Sequence, residues 1–498
     1  MGIETFVHAL QYFQDPAFLL AIISGAIVGL IFGIIPGVSS ILALSLFLPF
    51  AFVLKPDIAL AFMVAVTAVT YFGGSVTAIL LNVPGTEASA ATLLDGYAMA
   101  QKGEGGRALG ASFVSSALGG IVTVFMALAM IPLILPMIYA ITTGDMVFLV
   151  LLGISFIALI GRGAMLKGLI SGGLGILFSL VGFQWSTGVA RFTFDIPVLY
   201  EGIPMAPFVL GLFALPEMIV LATKGGSIVQ EGVTVKGLQG VVEGGKDVFR
   251  HWWLWLRCSV FGYIIGIIPG IGTMASTFLC YAHAKQTSKH PENFGQGTVE
   301  GVIAPESANN ATCSGAVLTT LALGIPGSAP MVLFLGGVTM VGLTPGPSML
   351  TEHLDLSISL LLTVLAANIL AFIICFPIAQ HLAKIGLVPA RILAPLIIVL
   401  ALIGAFAARE QFIDILMTLV FGALGLAMRR WNYNRVALLL GYVLGVLFER
   451  NLFVALSLSG PLFFLRPLSL SLIFITIAVL VYEPVKNALA RRRGIRMP

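Results

Sequence analysis

The chain runs to 498 residues, of which 58% are hydrophobic and only 10% charged, with a formal net charge of +4. That balance belongs to polytopic membrane proteins and excludes a soluble domain of any size. The positive excess is placed at span ends facing the cytoplasm, so nucleic acid is not implied.

The fold class expected is all-α, with roughly eleven or twelve passes of about 20 apolar residues each. The opening MGIETFVHALQYFQDPAF lacks the basic n-region of a cleavable signal, so the first apolar run is expected to stay in the membrane. Asp15 and Pro16 read as a helix start. From Ala17 to Pro36 the chain is apolar, with Gly25, Gly29 and Gly33 at a spacing that admits a close neighbouring helix. The run breaks at Ile34-Ile35-Pro36-Gly37, resumes at Ser39-Ser40 and ends near Lys55-Pro56. As one helix, residues 17–54 would span about 55 Å, so the segment must fold back, bend sharply or cross twice.

The next stretch, Tyr71 to Gly120, is the one the rest is organised around. At its centre, Leu80-Leu81-Asn82-Val83-Pro84-Gly85-Thr86 interrupts an apolar helical run. Pro84 removes a backbone donor and Gly85 tolerates unusual dihedrals, so a helix ends before Pro84 and another begins near Thr86. In hydrocarbon, such a break survives only if protein, ion, water or substrate satisfies the freed backbone groups. Apolar segments follow near 108–139, 146–160 and 166–183, then a polar interval at 184–201 and a further segment at 206–223. Residues 224–257, rich in glycine and charge, read as the seam between two halves, with Trp252, Trp253 and Trp255 beside Arg250 and Arg257 as an interfacial anchor.

Beyond the seam the pattern returns. Gly262 to Gly270 repeats Gly29 to Gly37 with seven identities in nine positions, and Gly315 to Ser328 aligns with Gly73 to Thr86. Paired interrupted segments are the sequence pointer to a secondary transporter's midplane site. The organisation expected is a first repeat half at 1–223, a cytoplasmic linker at 224–257, a second half at 258–428 and extra helices at 429–498. Assigning the basic clusters 224–257, 429–435 and 491–496 to the cytoplasm puts 352–355 outside and its counterpart 102–107 inside. The repeats would then be inverted, with broken helices or re-entrant hairpins.

A single Pro-Gly break can be a kink relaxed by neighbours. Four of them in duplicated order, with hydroxyl residues close behind, favour a site. The residues assigned to substrate binding are Pro36, Gly37, Ser39, Ser40, Asn82, Pro84, Gly85, Thr86, Gly270, Thr273, Pro326, Gly327 and Ser328. The most polar piece in an apolar setting is Ala304-Pro305-Glu306-Ser307-Ala308-Asn309-Asn310-Ala311-Thr312. Its carboxylate and amides are costly there unless they line a cavity, pair or bind an ion. Glu306, Asn309, Asn310 and Ser314 are the cation-coupling candidates, with Na⁺ suited to Asn309 and Asn310 and a proton to Glu306. Helix capping at an interfacial loop is the structural alternative.

Asp95 reads as a cap or turn, His251, His283 and His290 as solvated span ends, and Cys258, Cys280, Cys313 and Cys375 as buried apolar residues. No HExxH, Walker loop or GxSxG is present, and Gly144-Asp145 is weak ground for an intramembrane protease, so no enzyme and no cofactor are expected.

These motifs resemble the large membrane subunit of the tripartite tricarboxylate transporters, the TctA family. The resemblance runs across nearly the whole chain. It rests on the two Gly-x-x-x-Gly-Ile-Ile-Pro-Gly segments, residues 82–86 with 88–97, and residues 304–311 leading to Gly324-Ile325-Pro326-Gly327-Ser328. It implies a multi-pass permease of the bacterial inner membrane that works with a small four-pass membrane subunit and a periplasmic binding protein. The substrate class implied is di- or tricarboxylates such as citrate, or aromatic acids, moved with Na⁺ or H⁺. The family often has proline after the Thr86-like residue where this chain has Glu87, a negative charge that either alters substrate choice or faces away. A channel or an uncoupled scaffold is the alternative from another class.

Overall fold

The computed structural model describes residues 3–35, 38–160, 165–184, 186–224, 238–269, 271–382 and 390–492. The first-half helices are α1 (Ile3–Gln11), α2 (Pro16–Ile34), α3 (Ser40–Phe47), α4 (Pro56–Leu81), α5 (Leu93–Met99), α6 (Gly105–Ala140), α7 (Thr143–Ile160), α8 (Met165–Ser179), α9 (Met205–Val209) and α10 (Leu215–Lys224). There follow α11 (Gln239–Arg250), α12 (Trp252–Ile267), α13 (Gly272–Thr287), α14 (Glu300–Leu323), α15 (Ala329–Met340), α16 (Pro347–Thr351), α17 (Leu354–Leu382), α18 (Ala390–Arg409), α19 (Phe412–Arg430), α20 (Arg435–Ser459) and α21 (Pro467–Arg492). The polar interval holds β1 (Gly182–Phe183) and β2 (Ala190–Arg191), an antiparallel pair and the only sheet among the described residues.

Local chemistry sets the helix starts and stops. The Asp15 carboxylate accepts the Ala17 N–H at 2.8 Å and Pro16 takes the first helical position, which starts α2 as expected. α4 ends on Asn82 at φ 55°, ψ 28°, and α14 on Gly324 at φ 67°, ψ 19°, both left-handed. That conformation stops a helix and turns the chain away.

Small residues then bring backbones together. A Cβ on Gly29 would stand 2.5 Å from the Val66 carbonyl oxygen, and one on Gly262 would stand 2.8 Å from that of Ala308. Gly25, Gly29 and Gly33 meet Phe62, Val66 and Thr70 in order, so α2 and α4 run parallel. Gly262 and Gly266 meet Ala308 and Thr312, so α12 and α14 do the same. Around this core lie α7 to α10 and α18 to α21; the second group is fastened to the first where Gly441 of α20 abuts Gly172 of α8 and Glu449 takes both Arg191 nitrogens at 2.7 and 3.0 Å.

Among the described residues, seven helices are long and apolar enough to cross a membrane, against the eleven or twelve passes expected. Seven further apolar helices of 10–17 residues are present among the described residues, and the Pro-Gly breaks bound three of them, 40–51, 252–267 and 329–340.

The seam contains an amphipathic helix, α11, seated on α6. Arg107 Nε donates to Asp247 at 2.6 Å and Arg250 to its other oxygen at 2.8 Å. Burial pushes the Asp247 carboxyl up, but the two guanidiniums outweigh it and hold the group below the usual carboxylate range. These contacts put Arg107 and the seam at one end of the bundle. Glu217 likewise gathers Arg429 at 2.5 Å and Arg435 at 2.6 Å. Trp252 and Trp253 are exposed as an anchor requires, whereas Trp255 turns inward and donates to the Ser115 carbonyl at 3.3 Å.

Candidate functional site

Each half builds its second break in the same way. After Asn82 the chain doubles back, so that Gly85 N–H reaches the Gly74 carbonyl at 3.3 Å and Gly85 packs on Gly74 and Gly33. After Gly324, Gly327 packs on Ala316 and Gly266, the aligned positions, with its N–H 3.4 Å from Thr320 Oγ1. A Cβ at either glycine would collide with backbone, which is why both breaks need Pro-Gly. Thr86 and Ser328 are both extended, at φ −128° and −150°, and each starts a new helical segment: a four-residue 3₁₀ turn at Glu87–Ala90 and α15. Thr86 closes a capping box with Ser89.

The other break of each half falls between α2 and α3 and between α12 and α13. Ser39, half-buried, takes the N-cap position of α3 without a side-chain capping bond, and Ser40 opens the helix; Thr273 lies in the first turn of α13. Pro36, Gly37 and Gly270 lie outside the described residues.

Where the halves meet, α4 crosses α14. Ser75 is bonded to Glu306, and Asn310 Nδ2 donates to the Ala68 carbonyl at 3.3 Å, so the two helices cross antiparallel. Asn310 aligns with Ala68, so the crossing brings one position of each half against its own counterpart. Asn310 also donates to Asn368 Oδ1 of α17, while Asn368 Nδ2 bonds the Val364 carbonyl at 2.8 Å. Thr123 of α6 donates to Ser314 at 3.1 Å.

Glu306 is fully buried and fully engaged. Ser75 and Thr92 donate to Oε1, the former at 2.7 Å, while Ser112 at 3.0 Å and Ser116 at 2.7 Å donate to Oε2. All four hydroxyls come from the first half. In a low-dielectric interior a carboxylate is tolerated only when so satisfied, and here it ties α14 to α4, α5 and α6.

Asn309, one residue before Asn310, is also wholly buried, yet neither its Oδ1 nor its Nδ2 has a partner; Asn310 Oδ1 is likewise open. At 100° per residue, Asn309 faces between the Glu306 and Cys313 side of α14, which meets α4, and the Thr312 side, which meets α13 through Ser276 at 2.9 Å. Tyr71 of α4 occupies the same gap. Its hydroxyl lies 3.2 Å from Thr273 Oγ1, with Ser328 alongside. Residues following both breaks of the second half, Thr273 and Ser328, thus converge on a hydroxyl of the first.

Asn82, Pro84 and Glu87 are exposed to solvent, whereas Pro326 and Gly327 are buried and Ser328 is 5% exposed. Asp95 is the cap expected of it, but at long range: its carboxylate accepts the N–H groups of Gly295, Gly297 and Thr298 and the Tyr281 hydroxyl at 2.8 Å, and so fixes the loop leading into α14. The four cysteines are free and buried.

Tyr71, Ser75, Thr92, Ser112, Ser116 and Asn368 do not stand out in the sequence. Ser112 and Ser116, one turn apart on a mostly apolar helix, carried the only available signal.

The chain matches the family described as "Tripartite tricarboxylate transporter TctA family" over residues 19–440. It is 31% identical over 474 residues to "Uncharacterized 52.8 kDa protein in TAR-I ttuC' 3'region" of Agrobacterium vitis, covering 94% of this chain and 93% of the relative. It is 32% identical over 234 residues to "Uncharacterized protein in TAR-II ttuC' 3'region" of the same organism, covering 46% of this chain and 97% of that relative. No solved structure matches the chain. The chain therefore belongs to the tripartite tricarboxylate transporter TctA family, a membrane transporter component.

Proposed function

We propose that the chain is the permease of a secondary transporter that imports a di- or tricarboxylate of the citrate kind across a bacterial inner membrane. It receives the acid from a periplasmic binding protein, works beside a small four-pass membrane subunit and draws on a Na⁺ or H⁺ gradient. The observation that carries this reading is the convergence of Thr273 and Ser328 of the second half on the Tyr71 hydroxyl of the first, on the side of α14 where the Asn309 amide is buried without a partner. Freed N–H groups at broken helices attract carboxylates without buried arginines. The antiparallel crossing of the aligned helices α4 and α14 supports inverted repeats, the arrangement that lets one bundle rock against the other around a fixed site.

The test is uptake of labelled citrate into proteoliposomes containing this chain and the two partner proteins, with and without a sodium gradient. Asn310→Ala combined with Ser328→Ala should lower uptake by about tenfold or more, one lost polar contact being worth on the order of 1 kcal/mol. Unchanged uptake in the folded double variant would remove this site assignment. Current far above carrier turnover would replace the transporter with a channel.

A further inference from the structure

Beside the first break of the first half, a cavity of about 250 Å³ opens between the start of α3, α10 and the turn joining α19 to α20. Its polar lining is Ser39, Glu217, Tyr433, Asn434 and Arg435. Glu217 lies between two guanidiniums: Oε2 takes Arg429 Nη1 at 2.5 Å and Oε1 takes Arg435 Nη2 at 2.6 Å. Among the described residues no other carboxylate pairs with either arginine, so one unit of positive charge is left over. Arg435 also donates to the Leu212 carbonyl at 3.2 Å and lies over the Phe213 ring, 5.6 Å from its centroid, which fixes the guanidinium at the cavity wall. Lys167 adds a second positive charge nearby, its ammonium 5.4 Å from the centroid of the Tyr433 ring. On another wall, Ser39 precedes α3 without a capping bond, so its hydroxyl and the first N–H groups of that helix are not spent on each other.

An arginine fork beside a hydroxyl, with positive charge in excess, matches the paired oxygens of a carboxylate. The volume, below the ~300–1,000 Å³ of pockets for drug-sized ligands, suits a small acid. We propose that this cavity is a second site for the transported carboxylate, at the end of the bundle that the basic cluster 429–435 assigns to the cytoplasm, and that Glu217 is its built-in competitor. The incoming carboxylate takes Arg435 while Glu217 stays on Arg429; when Glu217 returns to Arg435, the acid is released. The inference rests on the transport reading and adds a site that shares no residue with the gap at Tyr71.

The experiment uses the purified full chain in detergent with Val436→Cys, a partly exposed position lining the cavity, as the reporter; the four native cysteines are buried. Citrate should slow the reaction of the new thiol with a small methanethiosulfonate. Arg435→Gln should raise the half-protecting citrate concentration by about tenfold or more, and Glu217→Gln should lower it by about as much. A tie that only joins α10 to α20 would be loosened by either change, so a rise in both variants would overturn the proposal, as would the absence of protection in the reporter alone. Inorganic phosphate, or phosphatidylglycerol in mixed micelles, protecting as well as citrate would overturn the assignment to a carboxylate. Citrate uptake by the reconstituted transporter without protection here would sink this site and leave the transport reading standing. Protection of the predicted signs without uptake would keep the site and remove the transport reading.

Discussion

The breaks at 82–86 and 324–328 share their packing and differ in access. Both turn on a left-handed residue, both press a glycine against the glycine of a parallel helix, and both hand over to a new helical segment through an extended hydroxyl residue. Yet Asn82, Pro84 and Glu87 meet solvent, while Gly324, Ile325, Pro326, Gly327 and Ser328 are buried. Packing alone therefore does not decide exposure. What differs is the segment that follows: a single 3₁₀ turn after the first break, and after the second the three-turn helix α15, buried from Pro330 to Val338.

The strongest way to break the equivalence is to attack the shared scaffold. Gly33→Leu and Gly266→Leu each drive a side chain into the carbonyl of the facing helix, at Thr70 and at Thr312. Backbone cannot yield as a flexible side chain can, and overpacking of this kind costs about 1–3 kcal/mol or more. Both variants should lose monodisperse folded protein on size-exclusion chromatography to a similar degree. If Gly266→Leu folds normally while Gly33→Leu does not, the two breaks are not structural equivalents.

Access is the next point to sharpen. Val83 and Ile325 are aligned and apolar; Val83 is partly exposed and Ile325 is 1% exposed. Val83→Cys should react with a membrane-impermeant maleimide and Ile325→Cys should not, over a background of four buried native cysteines. Equal labelling would erase the asymmetry. A reversal on adding citrate would show that the two breaks exchange access.

Much of this was readable in advance, and the boundary is physical. The segment expected at 146–160 falls within α7 and that at 206–223 within α9 and α10, because apolar length and Pro-Gly punctuation are local properties. The duplication was visible because glycines at a close approach cannot be exchanged without steric penalty. Partnership was not visible. A serine in an apolar helix commonly bonds the carbonyl one turn back, as Ser307 does with Ile303 at 2.6 Å, and nothing local distinguishes it from Ser116, which crosses to Glu306. Glu306 was legible as costly and therefore engaged, but whether by an ion or by four hydroxyls depends on three other elements. Asn309 stood out for its polarity, and its open amide emerges only from the packing.

The smallest effect belongs to the outer ends of the halves, where the comparison continues through the short helices preceding α2 and α12. Arg107 and Asp247 tie α11 to the start of α6, and the Tyr12 hydroxyl, 3.3 Å from Asp355, ties the turn after α1 to the start of α17. The two ties respond to opposite ends of the pH scale. Asp247 is held below the ordinary value near about 3.9, so its stabilisation is complete above that pH and disappears as pH falls through the folded value. The Tyr12 phenol is pushed up to about 12 by burial first and the Asp355 charge second, so its contribution is complete below its ordinary value near about 10 and disappears as pH rises toward 12. Asp247→Asn should lower the melting temperature at neutral pH by an amount worth about 1 kcal/mol or less, with the gap to wild type closing below about pH 4. Tyr12→Phe should show a gap that closes only in alkali. A gap for Asp247→Asn that persists unchanged at pH 3 would mean that the guanidiniums do not hold this carboxylate, and that α11 stays on α6 through its glycine contacts alone.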